Sequence, residues 1–465
     1  MQTQGRILGL FSLAMINVAA IVSLRNLSVM VEYGFSAIFF YILAALLFFI
    51  PTALCCAELA TGWPKEGGIY TWVSEAFGKS IGFIAIWMAW MLSISWFPTV
   101  LIFTAGGLAY LISPELIHNK VYMISMILLI FWGATFVNFL GMRISSLIST
   151  IGVLLGTIIP GFLIIGLGCL WFYLGKDLKI EMSWTTLLPD FRLENMVLVV
   201  GAVLSFAGIE IAAFHAKEAT NPQQNYPRAI LLSTIIILLI SILGSLSIAM
   251  VIEPTTISLF SGLMQAFNEF FQVFHLGWAV KVVAAFAVIG SLAGVNTWII
   301  GPAKGILVSA ADGFLPPWMH KINERGMPVG TLLVQAVLGS ILTLIIAVMP
   351  NINSAFWVIT VLTAQFAMIM YILIFAAAIK LRYSQSHVPR AYRVPGGKIG
   401  MWFVSGMGIV TCLFVFFIGF IPPFSHDIGH VLVFQGYLIF GLLLLSLPPV
   451  YFIWFKKPHW HVELF

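Results

Sequence analysis

The chain has 465 residues, of which 61% are hydrophobic and only 8% carry a charge. A soluble domain carries about 25% charged residues, so this composition excludes a chain that covers itself with a surface facing water. It therefore excludes a soluble enzyme and a disordered protein, and the four cysteines, all within apolar runs, exclude a disulfide scaffold. The composition predicts a polytopic protein whose surroundings are a lipid bilayer.

Twelve hydrophobic runs, separated by polar breaks, predict an all-α membrane protein with twelve transmembrane helices. A helix of about 20 apolar residues crosses the hydrocarbon core of a bilayer. Transmembrane β-strands would alternate apolar and polar residues, whereas residues 230–251 form one apolar run. The predicted helices cover residues 6–31, 35–60, 81–112, 121–141, 147–175, 195–215, 229–252, 278–310, 329–349, 354–380, 400–421 and 430–455.

The net charge of +5 reflects the distribution of basic residues between the two sides of the membrane. Sixteen of the 22 lysines and arginines lie on one side, five lie on the other, and Arg25 lies within the first span. Because cytoplasmic loops carry the excess of basic residues, both termini are predicted to be cytoplasmic. The charge therefore requires no nucleic-acid partner.

The first and the sixth predicted spans favour an interrupted helix. The first carries polar side chains at membrane depth between Asn17 and Asn26, and the sixth has a small-residue stretch, 205–208, followed by Glu210. A freed backbone group in lipid is unfavourable by several kcal/mol unless it lines a protein cavity or binds a ligand. Exposed N–H groups at one break and carbonyls at the other would suit a zwitterion. Close packing of small residues between helices is the alternative explanation.

Interrupted segments five helices apart predict two structural repeats of five spans with a site at their interface. The chain would then be a single transporter domain, residues 1–465. The first repeat covers about 6–175, the second about 195–380, and two additional helices cover about 400–455.

Charged residues inside spans are unfavourable and usually functional, and Arg25 and Glu210 are the clear cases. Glu32 and Glu58 lie near span ends, where we expect them to reach the membrane interface. Three interpretations of Arg25 stay open. It could pair with a carboxylate such as Glu210 or Glu32, extend to the interface, or bind an anionic group of a substrate.

Several short motifs follow the predicted spans in a characteristic order. The second span ends with Ala57-Glu58-Leu59-Ala60 and is followed by Trp63-Pro64-Lys65-Glu66-Gly67-Gly68. The sixth is followed by Asn221-Pro222 and Tyr226-Pro227-Arg228. The eighth is followed by Ala311-Asp312-Gly313-Phe314-Leu315-Pro316 and Gly326-Met327-Pro328. Together they resemble the signature loops of the amino acid–polyamine–organocation (APC) transporter superfamily. The resemblance covers spans one to ten and, more loosely, the last two.

Further stretches are most similar to the bacterial glutamate/γ-aminobutyrate antiporters within that superfamily. They are Phe97-Pro98, Ser205-Phe206-Ala207-Gly208-Ile209-Glu210, Trp298-Ile299-Ile300-Gly301-Pro302 and Arg393-Val394-Pro395-Gly396-Gly397-Lys398. The resemblance implies a twelve-helix, 5+5 inverted repeat of the LeuT-like type, with helices 1 and 6 broken. It also implies exchange of amino acids by alternating access.

The same resemblance places the breaks at residues 20–23 and 205–208, with Phe206 and Trp298 as aromatic gates and Tyr371 lining the site from the tenth span. With Arg25 added, the predicted substrate-binding residues are Ala20, Ile21, Val22, Ser23, Arg25, Ser205, Phe206, Ala207, Gly208, Trp298 and Tyr371. Glu210 is predicted to act in proton or conformational coupling.

The leading hypothesis is a secondary amino acid antiporter in the cytoplasmic (inner) membrane of a bacterium. A proton-coupled uptake permease, with Glu210 as proton carrier, is the alternative within the same class. A polytopic membrane enzyme is the alternative from a different class, but the metalloprotease motif HExxH does not occur in the sequence. We expect a small-molecule amino acid substrate, with no catalytic residue, metal, cofactor or nucleic acid. A homodimer remains open.

Overall fold

The computed structural model describes residues 9–64, 67–140, 152, 154–189, 192–212, 221–423, 430–457 and 460. Within these ranges all regular elements are helices, joined by loops, with no β-strand and one isolated bridge between Ile322 and Pro328. The predicted all-α class is therefore confirmed.

The regular elements are as follows. The α-helices are α1 Leu10–Ile21, α2 Ala37–Ala44, α3 Ile50–Gly62, α4 Ile69–Phe77, α5 Lys79–Ile112, α6 Lys120–Asn138, α7 Ile159–Tyr173, α8 Trp184–Leu187, α9 Val199–Ser205, α10 Ile209–Ala212, α11 Pro222–Val251, α12 Gly262–Val273, α13 Ala279–Val308, α14 Val329–Thr343, α15 Ile345–Val348, α16 Ile352–Ser384, α17 Gly397–Ile418, α18 Val431–Ser446 and α19 Pro448–Trp454. Short 3-10 segments cover Leu24–Ser36, Pro114–His118, Leu193–Met196 and Ser309–Asp312, and π-helical turns cover Ala45–Phe49 and Leu154–Ile158.

Ten helices among the described residues are long and apolar enough to cross a membrane. Of the twelve predicted spans, the first and the sixth do not form one long helix, because each is interrupted. The first, predicted as one helix over 6–31, ends its α-helix at Ile21 and continues as 3-10 turns. The sixth, predicted over 195–215, consists of α9 and α10 with a non-helical link, and residues 213–215 lie outside the described residues.

Several other predicted boundaries are wrong for local chemical reasons. The seventh helix begins at Pro222 instead of residue 229, because proline suits the first turn of a helix. The twelfth is divided at Leu447 by the following Pro448. The tenth begins at Ile352, where the Asn351 side chain accepts a hydrogen bond from the Ser354 N–H. Of the fifth predicted span, residues 147–151 and 153 lie outside the described residues.

Helices α5 and α16 form the centre of the protein. In the most apolar stretch of α5, 94% of the residues are buried, and in that of α16, 83% are buried, whereas the share in α6 is 28%. Helix α5 packs against α13 on one side and α16 on another. A helix buried on all sides within a membrane protein contacts other helices instead of lipid, so residues on α5 and α13 are placed to form internal walls.

Glu58 is not at the interface, as the sequence predicted, but is only 2% exposed. Arg382 Nη1 donates to both of its carboxylate oxygens, at 2.6 and 2.7 Å, and Arg390 Nη1 donates to one at 3.1 Å. The Val394 N–H donates to the other oxygen at 2.7 Å. One carboxylate thus joins α3, α16 and the chain that leads into α17.

On the side of the membrane to which the charge pattern assigns the cytoplasm, Asp312 joins α4 to the end of α13. Its carboxylate accepts hydrogen bonds from the Tyr70 hydroxyl and from Lys79. Burial alone would raise the pKa of Asp312, but these two hydrogen bonds, with the charges of Lys79 and Lys456, outweigh burial and lower it. Asp312 therefore stays ionised at neutral pH.

Two glycines bring the start of the fifth span against α13. A Cβ atom built on Gly290 would lie 2.6 Å from main-chain atoms of Gly156. Because real Cβ atoms do not approach backbone that closely, the two segments are in backbone contact here, as small residues allow between membrane helices.

Removing the buried carboxylate should destabilise the protein strongly. Glu58→Ala leaves the buried guanidinium groups of Arg382 and Arg390 without their counter-ion, which should cost about 3–5 kcal/mol of folding free energy. We expect a clearly lower melting temperature in detergent. The exposed Glu115→Ala is the matched control and should melt as the wild type does. Equal melting of Glu58→Ala and wild type would contradict a stabilising role.

Candidate functional site

A cavity of about 430 Å³ lies beside the interruption of the first span. This volume is within the range of about 300–1,000 Å³ typical of small-molecule sites. Its walls come from the first-span interruption, α5, the fifth span, the end of α9 and α13. Both broken spans and the central helix α5 therefore contribute to one cavity.

The backbone of the first span changes conformation at the cavity wall. Helix α1 ends at Ile21, and Val22 and Ser23 are extended, with ψ angles of 119° and 122°. The 3-10 turns that follow begin with the Asn26 N–H donating to the Ser23 carbonyl at 3.1 Å. Extended backbone at membrane depth has no helical partners, and it is tolerated where it lines a cavity.

The interruption of the sixth span is held by a buried network. Gly208 has φ +118°, a backbone conformation that residues other than glycine rarely adopt. Its N–H donates to the Tyr371 hydroxyl at 2.9 Å and to Glu210 Oε2 at 3.2 Å. The Tyr371 hydroxyl donates to the same carboxylate oxygen at 2.5 Å. Tyr371 and Glu210 thus hold the backbone of the break in place through their hydrogen bonds to the Gly208 N–H.

The structure brings most, but not all, of the predicted substrate-binding residues to the cavity. Those that line the cavity are Ile21, Val22, Ser23, Arg25, Ser205, Ala207 and Trp298. Gly208 and Tyr371 lie in the network just described and do not line it. Phe206 is fully buried and stacks on Phe49, with ring centroids 5.6 Å apart. The side chain of Ala20 lies outside the described residues.

Arg25 is buried, with 4% of its surface exposed, so the expected extension to the membrane interface is wrong. Its guanidinium donates to the Thr99 hydroxyl and, at 2.8 Å, to Asn26 Oδ1. Within the described part of the chain no carboxylate forms an ion pair with it. The expected pairing with Glu210 is therefore also wrong, because that carboxylate accepts from Tyr371 and Gly208 instead.

Aromatic side chains surround the Arg25 guanidinium. It lies 5.7 Å from the centroid of the Trp96 ring and 5.9 Å from that of Phe356. Trp96 in turn contacts Trp298, with ring centroids 5.6 Å apart. Cations over aromatic faces are attracted by the ring quadrupole, so these rings stabilise the charge without neutralising it.

Sequence analysis missed the contribution of α5 to the cavity. In α5 only Phe97 and Pro98 stood out, as part of the family resemblance, whereas the cavity is lined by Leu92, Ser93, Trp96, Val100 and Phe103. Spacings of three and four residues place these five side chains on one face of the helix. That face is hard to find in the sequence because α5 is apolar on all sides.

Comparison with known proteins shows the family of the chain. The amino acid permease family model matches residues 8–444. An uncharacterized transporter of Legionella pneumophila is 45% identical over 456 residues, which are 98% of this chain and 97% of that protein. A glutamate/γ-aminobutyrate antiporter of Lactococcus lactis is 33% identical over 438 residues, covering 92% and 86% of the two chains. A probable agmatine/putrescine antiporter of the same species is 24% identical over 395 residues, covering 82% of each.

These matches extend over nearly the whole chain, including both interrupted spans and the helices around the cavity. They exclude the membrane-enzyme alternative and confirm the resemblance to the APC superfamily. The chain is a membrane transporter, and it belongs to the amino acid permease family.

Proposed function

We propose that this transporter is an amino acid antiporter of the glutamate/γ-aminobutyrate type that works by alternating access. The carrying observation is the cavity at the extended backbone of Val22 and Ser23, which the end of α9 also lines. The 33% identity to a protein named as such an antiporter supports the exchange mode. The relatives are bacterial, and we place this chain in the cytoplasmic membrane of a bacterium with both termini inside.

A zwitterionic substrate fits the chemistry of the cavity wall. The backbone N–H groups at the N-terminal end of the 3-10 segment that starts at Leu24 can donate to the carboxylate of a bound amino acid. Carbonyl groups of the interruptions and the hydroxyls of Ser23 and Ser205 can accept hydrogen bonds from an ammonium group. The proposed contacts also include Ala20, Phe206, Gly208 and Tyr371 in the states that follow closure.

The framework that we propose for these movements is the 5+5 inverted repeat, followed by two additional helices. Alternating access requires that a bound substrate stabilise the closed state more than the open ones. A substrate that bridges the two broken spans meets this requirement, since it forms all of its contacts only when both spans approach it. Exchange follows if the empty protein rarely passes through the closed state.

Exchange can be tested directly in proteoliposomes. Vesicles loaded with unlabelled glutamate should take up radiolabelled glutamate, whereas empty vesicles without a pH gradient should take up little. Vesicles without protein are the control. Uptake into empty vesicles that is driven by a pH gradient would instead favour the proton-coupled permease, and absence of uptake under every condition and with every amino acid would contradict both.

The position of Trp298 on the cavity wall, in contact with Trp96, supports a gating role. Trp298→Ala removes the ring that would cover a bound substrate. We expect exchange to fall at least tenfold while the melting temperature stays near that of the wild type. Trp184→Ala, at a tryptophan that is 85% exposed, should leave exchange unchanged. A well-folded Trp298→Ala protein with normal exchange would reduce Trp298 to a packing residue.

Glu210 is the residue on which proton coupling would depend. Among the described residues, the titratable side chains that face it include Tyr371 and Cys56, and its carboxylate accepts a hydrogen bond from the Gly208 N–H in the sixth-span break. Glu210→Gln should therefore abolish most of the pH dependence of transport, because the amide cannot exchange a proton. Tyr371→Phe removes the phenol but keeps the carboxylate, so it should retain the pH dependence. An unchanged pH profile for Glu210→Gln would leave a purely structural role.

A further inference from the structure

The cavity contains a charge that no described residue neutralises. Among the described residues that line it, Arg25 is the one side chain with a formal charge at neutral pH. Its hydrogen-bond acceptors, Thr99 and Asn26, are neutral, as are the Trp96 and Phe356 rings beside it. Arg25 Nε is buried and has no hydrogen-bond partner.

The lack of a carboxylate partner distinguishes Arg25 from Arg382 and Arg390, the other buried arginines among the described residues, although Arg390 Nε likewise has no hydrogen-bond partner. Arg382 and Arg390 share Glu58, and further N–H groups of both donate to main-chain carbonyls. A buried charge is normally paired, because its loss of hydration is several kcal/mol unfavourable. Arg25 has similar burial but no carboxylate partner among the described residues, and it lies on the wall of a cavity that a ligand can enter.

The guanidinium is held in a fixed orientation. Thr99 fixes one terminal nitrogen and Asn26 the other, while the Trp96 and Phe356 rings lie beside the group. These contacts occupy neutral acceptors and leave Nε for a further partner. A planar guanidinium with an available Nε binds a carboxylate with high geometric specificity, which an ammonium group does not reproduce.

We infer that Arg25 is the residue that selects the substrate by charge: it binds a second carboxylate, on the side chain of a dicarboxylic amino acid. The inference rests on the proposed function, in which the extended backbone at Val22 and Ser23 holds the α-amino and α-carboxylate groups. The remainder of the wall near Arg25 carries hydroxyl and apolar groups, including Ser93, Thr157 and Ser291. No described lining residue bears a negative charge that would repel this carboxylate.

The test uses three amino acids with the same five-carbon chain: L-glutamate, L-glutamine and L-norvaline. Binding is measured on the purified full-length protein by thermal stabilisation over a range of ligand concentrations, and exchange is measured in proteoliposomes. For the wild type, half-maximal stabilisation should need at least tenfold less glutamate than norvaline, with glutamine between them. Arg25→Gln should remove this preference, and Arg25→Lys should retain only part of it.

Controls separate specificity from folding. Arg325→Gln changes an exposed arginine and should preserve the glutamate preference. If Arg25→Gln fails to fold, Thr99→Val loosens the guanidinium while retaining its charge, and it should weaken glutamate binding more than norvaline binding. Equal wild-type binding of all three ligands, a preference retained in Arg25→Gln, or an equal loss for all ligands in Thr99→Val would overturn the inference. Wild-type protein that binds glutamate selectively but exchanges no amino acid would overturn the proposed function and leave the inference standing.

Discussion

Main-chain polar groups in a bilayer must be hydrogen-bonded within the protein or face an internal cavity, and the architecture of this transporter follows from that constraint. Helical hydrogen bonds meet it over most of the length of the ten membrane-crossing helices among the described residues. The first and sixth spans are interrupted, and each meets it differently. The extended residues Val22 and Ser23 face the cavity, whereas the N–H of Gly208 is bound by Tyr371 and Glu210.

Buried charges in the protein follow two contrasting patterns. Around Glu58 every charge has partners, so the group acts as a rigid connection between α3, α16 and the chain before α17. Around Arg25 the partners are neutral, so the positive charge remains available to a ligand in the cavity. The first pattern is suited to holding elements together throughout a transport cycle, and the second to recognising what is carried.

Much of the fold could be predicted because long apolar runs identify membrane helices independently of tertiary contacts. The interruptions at residues 22–23 and 206–208 were also predictable, since polar and small residues at membrane depth are conspicuous in such runs. Partnerships between distant residues were not. Glu58 was expected at the interface because its arginine partners lie more than 300 positions away, on α16 and beyond it. Trp96 was missed because α5, apolar on every face, gives no signal of which side meets the cavity.

The backbone contact between Gly156 and Gly290 has a consequence for how new specificities can arise. Both glycines line the cavity, so that part of its wall is main chain and cannot be reshaped by exchanging one side chain for another. Any larger residue there would push two helices apart. Adaptation to other cargoes, whether by natural drift or by laboratory evolution, is thereby directed to parts of the wall formed by side chains, such as Ser93 and Trp96 of α5.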